Sequence, residues 1–398
     1  MTVPYRILVV HDRYSRRGGE DTAVEAEIGQ LRGAGHEVLE WFEDNQSISG
    51  FSIPRKASLM LSTSWSSRSH RRMLELIERF RPDIVHFHNL LPLISPSAIH
   101  AAATTPVAVV MTLHNYRLIC PAGTLFRDGR PCEECSSSLL NGIGHACYRG
   151  SALQTSAIAG MLLVHRMLGT WNRKVDAFIA LTDFMRGRLV EAGLPRERVH
   201  IKSNSCEVAL VEELQEPFVL FVGRLSAEKG IDTVLAAFSD GLHQVKIIGD
   251  GPLMSRVLSA ARSSQARIES LGEIPHAGVI EYLRRASVLV FPSQCYEGMP
   301  LVLVEALGAG VPVVASRIGA IPDIIREGQE GFLFPPGDAT ELARLVSRIS
   351  GDPSLRTALS KACRKSFETR FSPQVTYEVL MSIYDAAIAQ SRERRRAA

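Results

Sequence analysis

The stretch from Phe291 to Val314, FPSQCYEGMPLVLVEALGAGVPVV, constrains the fold of this chain more than any other stretch. A short apolar run ending at Phe291 is followed by a loop, an apolar helical segment from Leu301 to Leu307, terminating glycines and a second apolar run. Pro300 suits the first turn of that helix. The pattern predicts a strand, loop, helix and strand, as in a parallel α/β sheet.

Two carboxylates in this stretch stand out. Glu305 is the one polar side chain of the predicted helix, and a buried carboxylate is costly unless it is hydrogen-bonded, so we expect it to face a polar cleft. Glu297 comes just before the helix, where free backbone N–H groups and the positive end of the helix dipole favour a bound phosphate.

The string Glu297-Gly-Met-Pro followed by Glu305-Ala resembles the paired-glutamate motif of the retaining family 4 glycosyltransferases, which have the GT-B fold. The resemblance implies that Glu297 contacts the hydroxyls of a donor sugar and that Glu305 holds the nucleotide ribose. Two solvated glutamates, one on an exposed loop and one on a helix rim, are the alternative. The same loop gives four substrate-binding candidates: Gly298, Met299, Pro300 and Leu301.

A second loop with basic residues follows the predicted strand that begins at Phe218. The chain turns at Gly223 and projects Arg224 and Lys229, and two cations at this spacing suit a diphosphate. The string GRL-x-x-EKG resembles the phosphate-binding loop of the same family; a basic surface pair is the alternative. A further turn resembles the family's second glycine turn near the nucleotide, and its residues are Gly249, Asp250 and Gly251.

The N-terminal half begins with a predicted βαβ unit. Gly18 and Gly19 lie between its first strand and helix, where glycines let the backbone approach a ligand. They resemble the family's N-terminal glycine loop, beside donor phosphate and acceptor; a generic turn is the alternative. His114 follows the predicted strand from Pro106 to Leu113, at the sheet edge where ligands bind. By resemblance His114 reaches the donor sugar; a satisfied loop histidine is the alternative.

Two groups of side chains raise the question of a metal. His86 and His88 share one face of a predicted strand, which suits either a metal or a polar cleft edge. Four cysteines with the spacing C-x11-C-x2-C-x11-C allow a structural zinc site, with His145 as a substitute ligand, but also reduced packed thiols or redox chemistry. These cysteines are Cys120, Cys132, Cys135 and Cys147.

Composition narrows the class of protein. A formal net charge of +3 over 398 residues excludes a strong nucleic-acid footprint. No apolar run reaches the roughly 18 residues of a membrane span, no signal peptide is apparent, and seven cysteines suit a reducing compartment, so we expect a cytoplasmic protein. Residues 1–205 carry 24 Lys and Arg against 19 Asp and Glu. With the apolar helix Ala152 to Trp171, this suggests either peripheral docking on the anionic inner face of the plasma membrane or ordinary core packing.

The predicted architecture is α/β, with two Rossmann-like doubly wound domains of the GT-B type facing across a cleft. Residues 1–205 form the acceptor-side domain, residues 206–372 the nucleotide-sugar domain, and residues 373–398 a helix that crosses back, with a solvated basic tail from Arg392 to Arg396. We expect a linker at Glu207 to Pro217 and a loop at Asn45 to Ser69.

The resemblance implies a retaining hexosyltransferase that uses a nucleotide-diphosphate sugar and a glycan or lipid-linked glycan acceptor in cell-surface polysaccharide assembly. Arg224, Lys229 and the N–H groups after Gly298 would stabilise the leaving diphosphate, while His114 and Glu297 orient the sugar. No Asp-x-Asp sequence occurs, so we expect catalysis without a metal or cofactor. A nucleotide-sugar epimerase and a non-catalytic donor-binding subunit are the alternatives.

Overall fold

A computed structural model of the protein describes residues 4–15, 18–208, 216–263 and 265–396. It divides into two compact units. Unit 1 comprises Met1–Leu125, Glu133–Ser203 and Thr376–Ala398, and unit 2 comprises Phe126–Cys132 and Asn204–Val375. Part of the predicted linker, residues 209–215, lies outside the described residues, as do Arg16 and Arg17 of the N-terminal glycine loop.

Unit 1 is built around a six-stranded parallel sheet. Its strands are β1 (Arg6–Arg13), β2 (Glu37–Asp44), β3 (Ile84–Phe87), β4 (Ala108–Leu113), β7 (Ala177–Ala180) and β8 (Val199–Ile201). A short hairpin of β5 (Phe126–Arg127) and β6 (Arg130–Pro131) lies between β4 and β7 in the chain and is assigned to unit 2. The helices of the N-terminal half are α1 (Gly19–Gly33), α2 (Ile53–Ser62), α3 (Ser67–Phe80), α4 (Ser97–Ala103), α5 (Leu139–Gly144), α6 (Ala152–Met167) and α7 (Asp183–Glu191).

Unit 2 has a second six-stranded parallel sheet. Its strands are β9 (Phe218–Val222), β10 (Gln244–Ile248), β11 (Ile268–Gly272), β12 (Val288–Phe291), β13 (Val313–Ser316) and β14 (Gly331–Phe334). Its helices are α8 (Ile231–Ala237), α9 (Met254–Ala261), α10 (His276–Arg285), α11 (Leu301–Ala309), α12 (Ile321–Ile324), α13 (Ala339–Gly351) and α14 (Pro353–Ser366), and the chain ends in α15 (Pro373–Arg396).

The strand order of each sheet reverses direction at one point. The order is β2-β1-β3-β4-β7-β8 in unit 1 and β11-β10-β9-β12-β13-β14 in unit 2. Chain order therefore reverses between β1 and β3 in the first sheet and between β9 and β12 in the second. In open α/β sheets a crevice forms outside the carboxyl ends of the strands at such a reversal. The predicted doubly wound α/β class is confirmed, and the predicted glycine loops follow β1 and β9.

The last helix completes the core of unit 1. Leu380 and Tyr384 of α15 are fully buried and pack in the same cluster as Ile7 of β1. The prediction of a solvated tail from Arg392 to Arg396 is wrong at Arg394, because its guanidinium pairs with the buried carboxylate of Asp176 at 2.8 Å. A run of like charges does not reveal that one of its members lies on the buried side of a helix.

The predicted loop from Asn45 to Ser69 is also wrong, because it contains α2 and the start of α3. None of the side chains of α2 is buried. The prediction gave weight to the serines and basic residues of the segment and missed apolar residues at helical spacing, Ile53, Met60 and Leu61. In α6, by contrast, Ile158, Met161 and Leu162 are core residues, as ordinary packing requires, while Leu168 just beyond its end is 45% exposed. Among the described helices, none has the length and apolarity required to cross a bilayer.

Candidate functional site

The loops after β9 and β12 are in direct backbone contact at the reversal point of the second sheet. The N–H of Gln294 donates to the carbonyl of Glu228 at 2.8 Å. Gly230 has a φ of +70°, and a Cβ there would lie 1.9 Å from the carbonyl oxygen of Pro292. Only glycine permits so close an approach. The sequence at this position therefore locks the predicted phosphate loop onto the loop that carries Glu297.

The contact brings Lys229 and Glu297 together. The ammonium of Lys229 donates to both carboxylate oxygens of Glu297, at 2.7 and 2.9 Å, and the hydroxyl of Ser293 donates to Oε1 of Glu297 at 2.8 Å. Burial by itself would lower the pKa of Lys229, but the carboxylate of Glu297 holds it above its ordinary value. Lys229 is therefore an ammonium cation bound to the Glu297 carboxylate, and the two side chains orient each other without a ligand.

The other predicted cation, Arg224, lies in the same loop with its side chain exposed. Within the residues that the structure describes, Arg224 takes part in no ion pair. Its loop is braced by the second glycine turn, since the N–H of Leu225 donates to the carbonyl of Asp250 at 3.0 Å. A Cβ at Gly249 would lie 1.9 Å from the carbonyl oxygen of Gly223. Arg224 is thus a free guanidinium on a fixed loop.

Helix α11 presents the second predicted glutamate. Glu305 is only 4% exposed, and its Oε1 lies 2.7 Å from Nε2 of His276 at the start of α10. This bond answers the expectation that a carboxylate in an apolar helix needs a hydrogen-bond partner. Pro300 is the residue that caps the helix, with extended backbone angles, instead of the first helical residue. The predicted helix end at Leu307 is early, since α11 continues to Ala309.

The start of α11 is tied to the beginning of unit 2. The backbone N–H of Asn204 lies 3.1 Å from the sulfur of Met299, and the amide of Asn204 donates to the carbonyl of Met299 at 3.4 Å. Cys206 is buried, and burial together with the nearby Glu305 carboxylate raises the pKa of its thiol. Cys206 is consequently a neutral packing residue beside Glu305. Gly298 and Leu301 flank Met299 and Pro300 in the same turn.

In unit 1, Gly18 and Gly19 are exposed at the beginning of α1. The N–H of Gly18 donates to the carboxylate of Asp21 at 3.1 Å, and the other oxygen of Asp21 lies 2.8 Å from Nε2 of the buried His11. The helix start is therefore anchored to the end of β1. Among the described residues, a Cβ at Gly18 would meet nothing within 4 Å.

The predicted His114 is half-buried after β4 and touches a second histidine. Its Nε2 lies 3.0 Å from Nδ1 of His88. Burial, and then the charge of His11, lowers the pKa of His114 to about 3. His114 is thus neutral near pH 7. It lines a cavity of about 40 Å³ whose other polar walls include Glu20, Asn115 and Arg117.

Glu20 is oriented within this cavity by a chain of hydrogen bonds. The amide of Asn115 donates to the hydroxyl oxygen of Tyr14 at 3.1 Å, and that hydroxyl donates to the carboxylate of Glu20 at 2.9 Å. Burial raises the pKa of Glu20 to about 7. The carboxyl group therefore changes charge in the neutral pH range.

Glu27, His86 and His88 have ligand atoms within 4.8 Å of one another. However, Lys202 occupies one oxygen of Glu27 at 2.6 Å, and both ring nitrogens of His86 already contact hydroxyl groups, those of Tyr384 and Thr112, at 2.8 Å. A divalent cation would have to displace these partners. The arrangement favours the polar interpretation of the two histidines over a metal site.

The four cysteines do not form a zinc cluster in this structure: among the described residues, no three of their thiols meet the distance that a metal requires. Cys120 and Cys135 are neighbours, and the hydrogen bond from the Cys135 thiol lowers the pKa of Cys120 to about 5. Cys132 and Cys147 are half-buried. His145, the predicted substitute ligand, lies 3.8 Å from the carboxylate of Glu134 instead.

Several residues of these constellations were not anticipated from the sequence. Ser293 and Lys202 each follow the end of a strand, a position that could have marked them as candidates. His276 carries the weaker signal of a polar residue after a proline at a helix start. Glu27 carries no such signal in the sequence, because its position is that of an ordinary polar residue in an amphipathic helix.

Two family models match the chain. The model described as glycosyl transferases group 1 matches residues 207–366, and the model described as glycosyl transferase 4-like domain matches residues 18–205. Together they leave out β1 of the first sheet but include the predicted site residues from Gly18 to Glu305. The junction between the matches at residues 205–207 falls beside Asn204, where unit 2 resumes.

Similar curated proteins include the sulfoquinovosyl transferase SQD2 of Arabidopsis thaliana, 29% identical over 324 residues that make up 80% of this chain and 59% of that protein. The alpha-D-kanosaminyltransferase of Streptomyces kanamyceticus is 30% identical over 53% of this chain and 61% of that protein. The chain thus spans less than two thirds of either relative. The glycogen synthase of Mycobacterium tuberculosis is 26% identical over 79% of this chain and 71% of its own length.

Solved structures agree on the fold. Sucrose-phosphate synthase from Thermosynechococcus elongatus superposes with a TM-score of 0.72 at 18% identity, covering 97% of this chain and 99% of that one. Anabaena HepE in complex with UDP gives a TM-score of 0.64 at 16% identity, covering 96% and 100% of the two chains. At these identities the likeness concerns architecture alone.

Proposed function

The chain belongs to the GT4-type glycosyltransferases of the GT-B fold, and from that premise we propose that it moves a hexosyl group, with retention of configuration, from a nucleotide-diphosphate sugar to a glycan acceptor. The observation that carries the proposal is the Lys229–Glu297 ion pair at the reversal point of the second sheet. There a cation and a carboxylate are held side by side on two loops, where a diphosphate and its sugar would meet them.

The proposed reaction requires stabilisation of the negative charge on the leaving diphosphate. Cleavage of the bond between sugar and diphosphate leaves negative charge on the phosphate, and preorganised donors stabilise this charge. Lys229, Arg224 and the free N–H groups at the start of α11 supply these donors. Glu297 and His114 orient the sugar, and Glu305 holds the ribose. The leaving phosphate itself takes the proton of the acceptor hydroxyl.

Catalysis proceeds without a metal ion in this proposal, since the two cationic side chains supply the charge and no Asp-x-Asp sequence occurs. The acceptor is proposed to be a glycan or lipid-linked glycan of cell-surface polysaccharide assembly. Support comes from relatives named for such work, among them the amylovoran biosynthesis glycosyltransferase AmsK of Erwinia amylovora, 27% identical over 53% of this chain. Gly18 and Gly19 would lie beside the donor phosphate and acceptor.

The proposed location is the cytoplasm, at the inner face of the plasma membrane. In unit 1, Ile53 and Leu61 of α2 are 84% and 82% exposed, and Arg55 of the same helix is exposed as well. Apolar and basic side chains on one exposed helix suit an anionic bilayer surface. Flotation with anionic and neutral vesicles tests this: we expect binding to the anionic vesicles alone, and equal binding to both contradicts it.

The decisive experiment incubates the purified chain with a panel of nucleotide-diphosphate sugars and glycan acceptors. Arg224→Ala and Lys229→Ala should each slow transfer roughly 10²- to 10³-fold, whereas the exposed Lys361→Ala should match wild type. A short treatment with chelator should leave the rate unchanged. Conversion of a donor alone to a sugar isomer would indicate an epimerase. Donor binding without turnover would indicate a binding subunit.

A further inference from the structure

A series of contacts within unit 1 connects a buried ion pair to His114 through His88. We propose that His88, held by the buried Glu27–Lys202 ion pair, fixes His114 in the neutral form that carries its proton on Nε2 and leaves Nδ1 as a hydrogen-bond acceptor for a hydroxyl of the ligand. The inference rests on the proposed role of His114 toward the donor sugar. It adds the residue that orients the histidine and the kind of group that the histidine accepts.

The Glu27–Lys202 ion pair places a negative charge at one end of this series of contacts. Lys202 follows β8 and Glu27 lies in α1; their ammonium and carboxylate are 2.6 Å apart, with side chains only 6% and 7% exposed. Burial alone would raise the pKa of Glu27, but the charge and hydrogen bond of Lys202 hold it below the ordinary value. Glu27 is therefore a carboxylate throughout the neutral pH range.

His88 faces this carboxylate with one nitrogen and His114 with the other. Its Nε2 lies 3.6 Å from Oε1 of Glu27, which also lies 3.2 Å from Nδ1 of His86. Within the described part of the chain, neither Nε2 of His88 nor Oε1 of Glu27 has a hydrogen-bond partner. A lone pair on Nε2 would point at a negative charge in a dry environment, where repulsion is little screened. The proton of His88 therefore lies on Nε2, and its Nδ1 is the acceptor.

The state of His114 follows. Since Nδ1 of His88 accepts, the atom 3.0 Å away, Nε2 of His114, must donate. The ring is neutral, so its Nδ1 carries a lone pair, and no group among the described residues hydrogen-bonds to it. His114 lines the cavity that also contains Glu20 and Arg117. A hydroxyl satisfies such an acceptor, whereas the carboxylate of a uronic acid would be repelled by it.

The test reads the tautomer directly. Long-range ¹H–¹⁵N spectra of histidine-labelled full-length protein distinguish a protonated ring nitrogen from one with a lone pair, and His114→Gln identifies the signal. His165 is an internal reference, because its Nε2 lies 2.7 Å from the carbonyl oxygen of Ser64, which can only accept. The proton of His165 must stay on Nε2 in every variant that folds.

We expect His114 to carry its proton on Nε2 in wild type. In His88→Leu the acceptor is lost, so the fraction protonated on Nδ1 should rise roughly 3- to 10-fold, the worth of one neutral hydrogen bond. His88→Gln should restore the wild-type spectrum, because an amide can accept from His114 and donate to Glu27.

Protonation of His114 on Nδ1 in wild type, or an unchanged spectrum in His88→Leu, would overturn the inference. The result does not depend on turnover, so it separates this inference from the proposed transfer reaction. If wild type shows the expected tautomer but His114→Gln transfers at the wild-type rate, His114 does not bind the sugar, although His88 still orients it.

Discussion

At the scale of single residues, Lys229 shows how the fold decides what a side chain does. An isolated buried lysine tends to lose its proton, yet here the pKa is raised because Glu297 lies within 3 Å. Arg224, five residues earlier, keeps an exposed guanidinium. One loop thus carries a cation held in an ion pair and an exposed cation, the two side chains proposed to bind the diphosphate.

Asp12 provides a pH-dependent prediction. Its Oδ2 accepts from the N–H of Leu93 at 2.7 Å, its Oδ1 has no hydrogen-bond partner among the described residues, and burial raises its pKa from 3.8 to about 7. The folded state therefore holds a proton that the unfolded chain releases. This contribution to stability is complete below about pH 4 and is lost as pH rises through 7. Asp12→Asn should thus gain more stability over wild type at pH 8.5 than at pH 5.

Urea denaturation midpoints at the two pH values measure this difference. Asp352→Asn is the matched control for the chemical change, because Asp352 is exposed and its side chain also accepts one backbone N–H, that of Leu355. A gain for Asp12→Asn that is equal at pH 5 and pH 8.5 would show that Asp12 is ionised in the folded protein throughout.

Glu305 and Glu297 are predicted to discriminate different parts of the donor. A hydrogen bond to a charged group contributes about 1.5–3 kcal/mol, roughly 10- to 150-fold in a binding constant. Wild type should therefore bind a 2′-deoxyribose donor that much more weakly than the ribose donor. Glu305→Gln should largely lose this preference yet keep its preference among sugars, and Glu297→Gln should do the reverse.

Calorimetric titration of each variant with ribose and deoxyribose donors makes a double-mutant cycle in which the ligand is one partner. His276→Gln is an informative companion, since Nε2 of His276 lies 2.7 Å from Oε1 of Glu305 and orients this carboxylate. Undiminished rejection of the deoxyribose donor by Glu305→Gln would assign the ribose to another residue.

At the scale of elements, the loops after β9 and β12 act as one unit because Gly230 lies against Pro292. Gly230→Ala should cost both the strain of a positive φ, about 1–2 kcal/mol, and the collision at 1.9 Å with the Pro292 carbonyl. The shift should separate Lys229 from Glu297 and lower transfer at least roughly 10-fold.

The matched control is Gly328→Ala, because Gly328 in unit 2 has a φ of +73° but a Cβ there would meet nothing within 4 Å. It should show the strain alone, as a modest fall in the urea midpoint with unchanged transfer. If Gly230→Ala and Gly328→Ala lose stability and transfer rate equally, the contact between the two loops does not contribute to transfer.

At the scale of the whole molecule, the chain leaves unit 1 after Ser203 and returns to it with α15. Arg394 fastens the returning helix to Asp176, which is fully buried and also accepts from the N–H of Val109 at 2.8 Å. Removing one partner of a buried pair leaves an uncompensated charge. Arg394→Ala should therefore lower the free energy of unfolding by about 3–5 kcal/mol.

Thermal unfolding measures that loss, with Arg395→Ala as the control. Arg395 is exposed, and within the described ranges its guanidinium bonds only to the carbonyl of Ser391 in its own helix. If the two variants melt at the same temperature, the Asp176 pair contributes nothing to the closure of unit 1 by α15.

The sequence by itself determined the fold class, the family and the strings that carry the candidate residues. Apolar runs broken by glycine and proline predict strands and helices because burial on both faces of a parallel sheet leaves that pattern in consecutive residues. The prediction of a loop was wrong at α2, where serines and basic residues hid apolar residues at helical spacing. Motifs such as GRL-x-x-EKG are also local, so they could be read directly.

The tertiary structure decided which distant side chains meet. Lys229 and Glu297 are 68 residues apart, and Glu27 and Lys202 are 175 apart. Each pair joins different strand–helix units, and their meeting depends on strand order and on the close backbone approach at residues such as Gly230. Local patterns record only whether a position is buried. They carry no record of which element lies opposite, because that follows from the packing of the whole sheet.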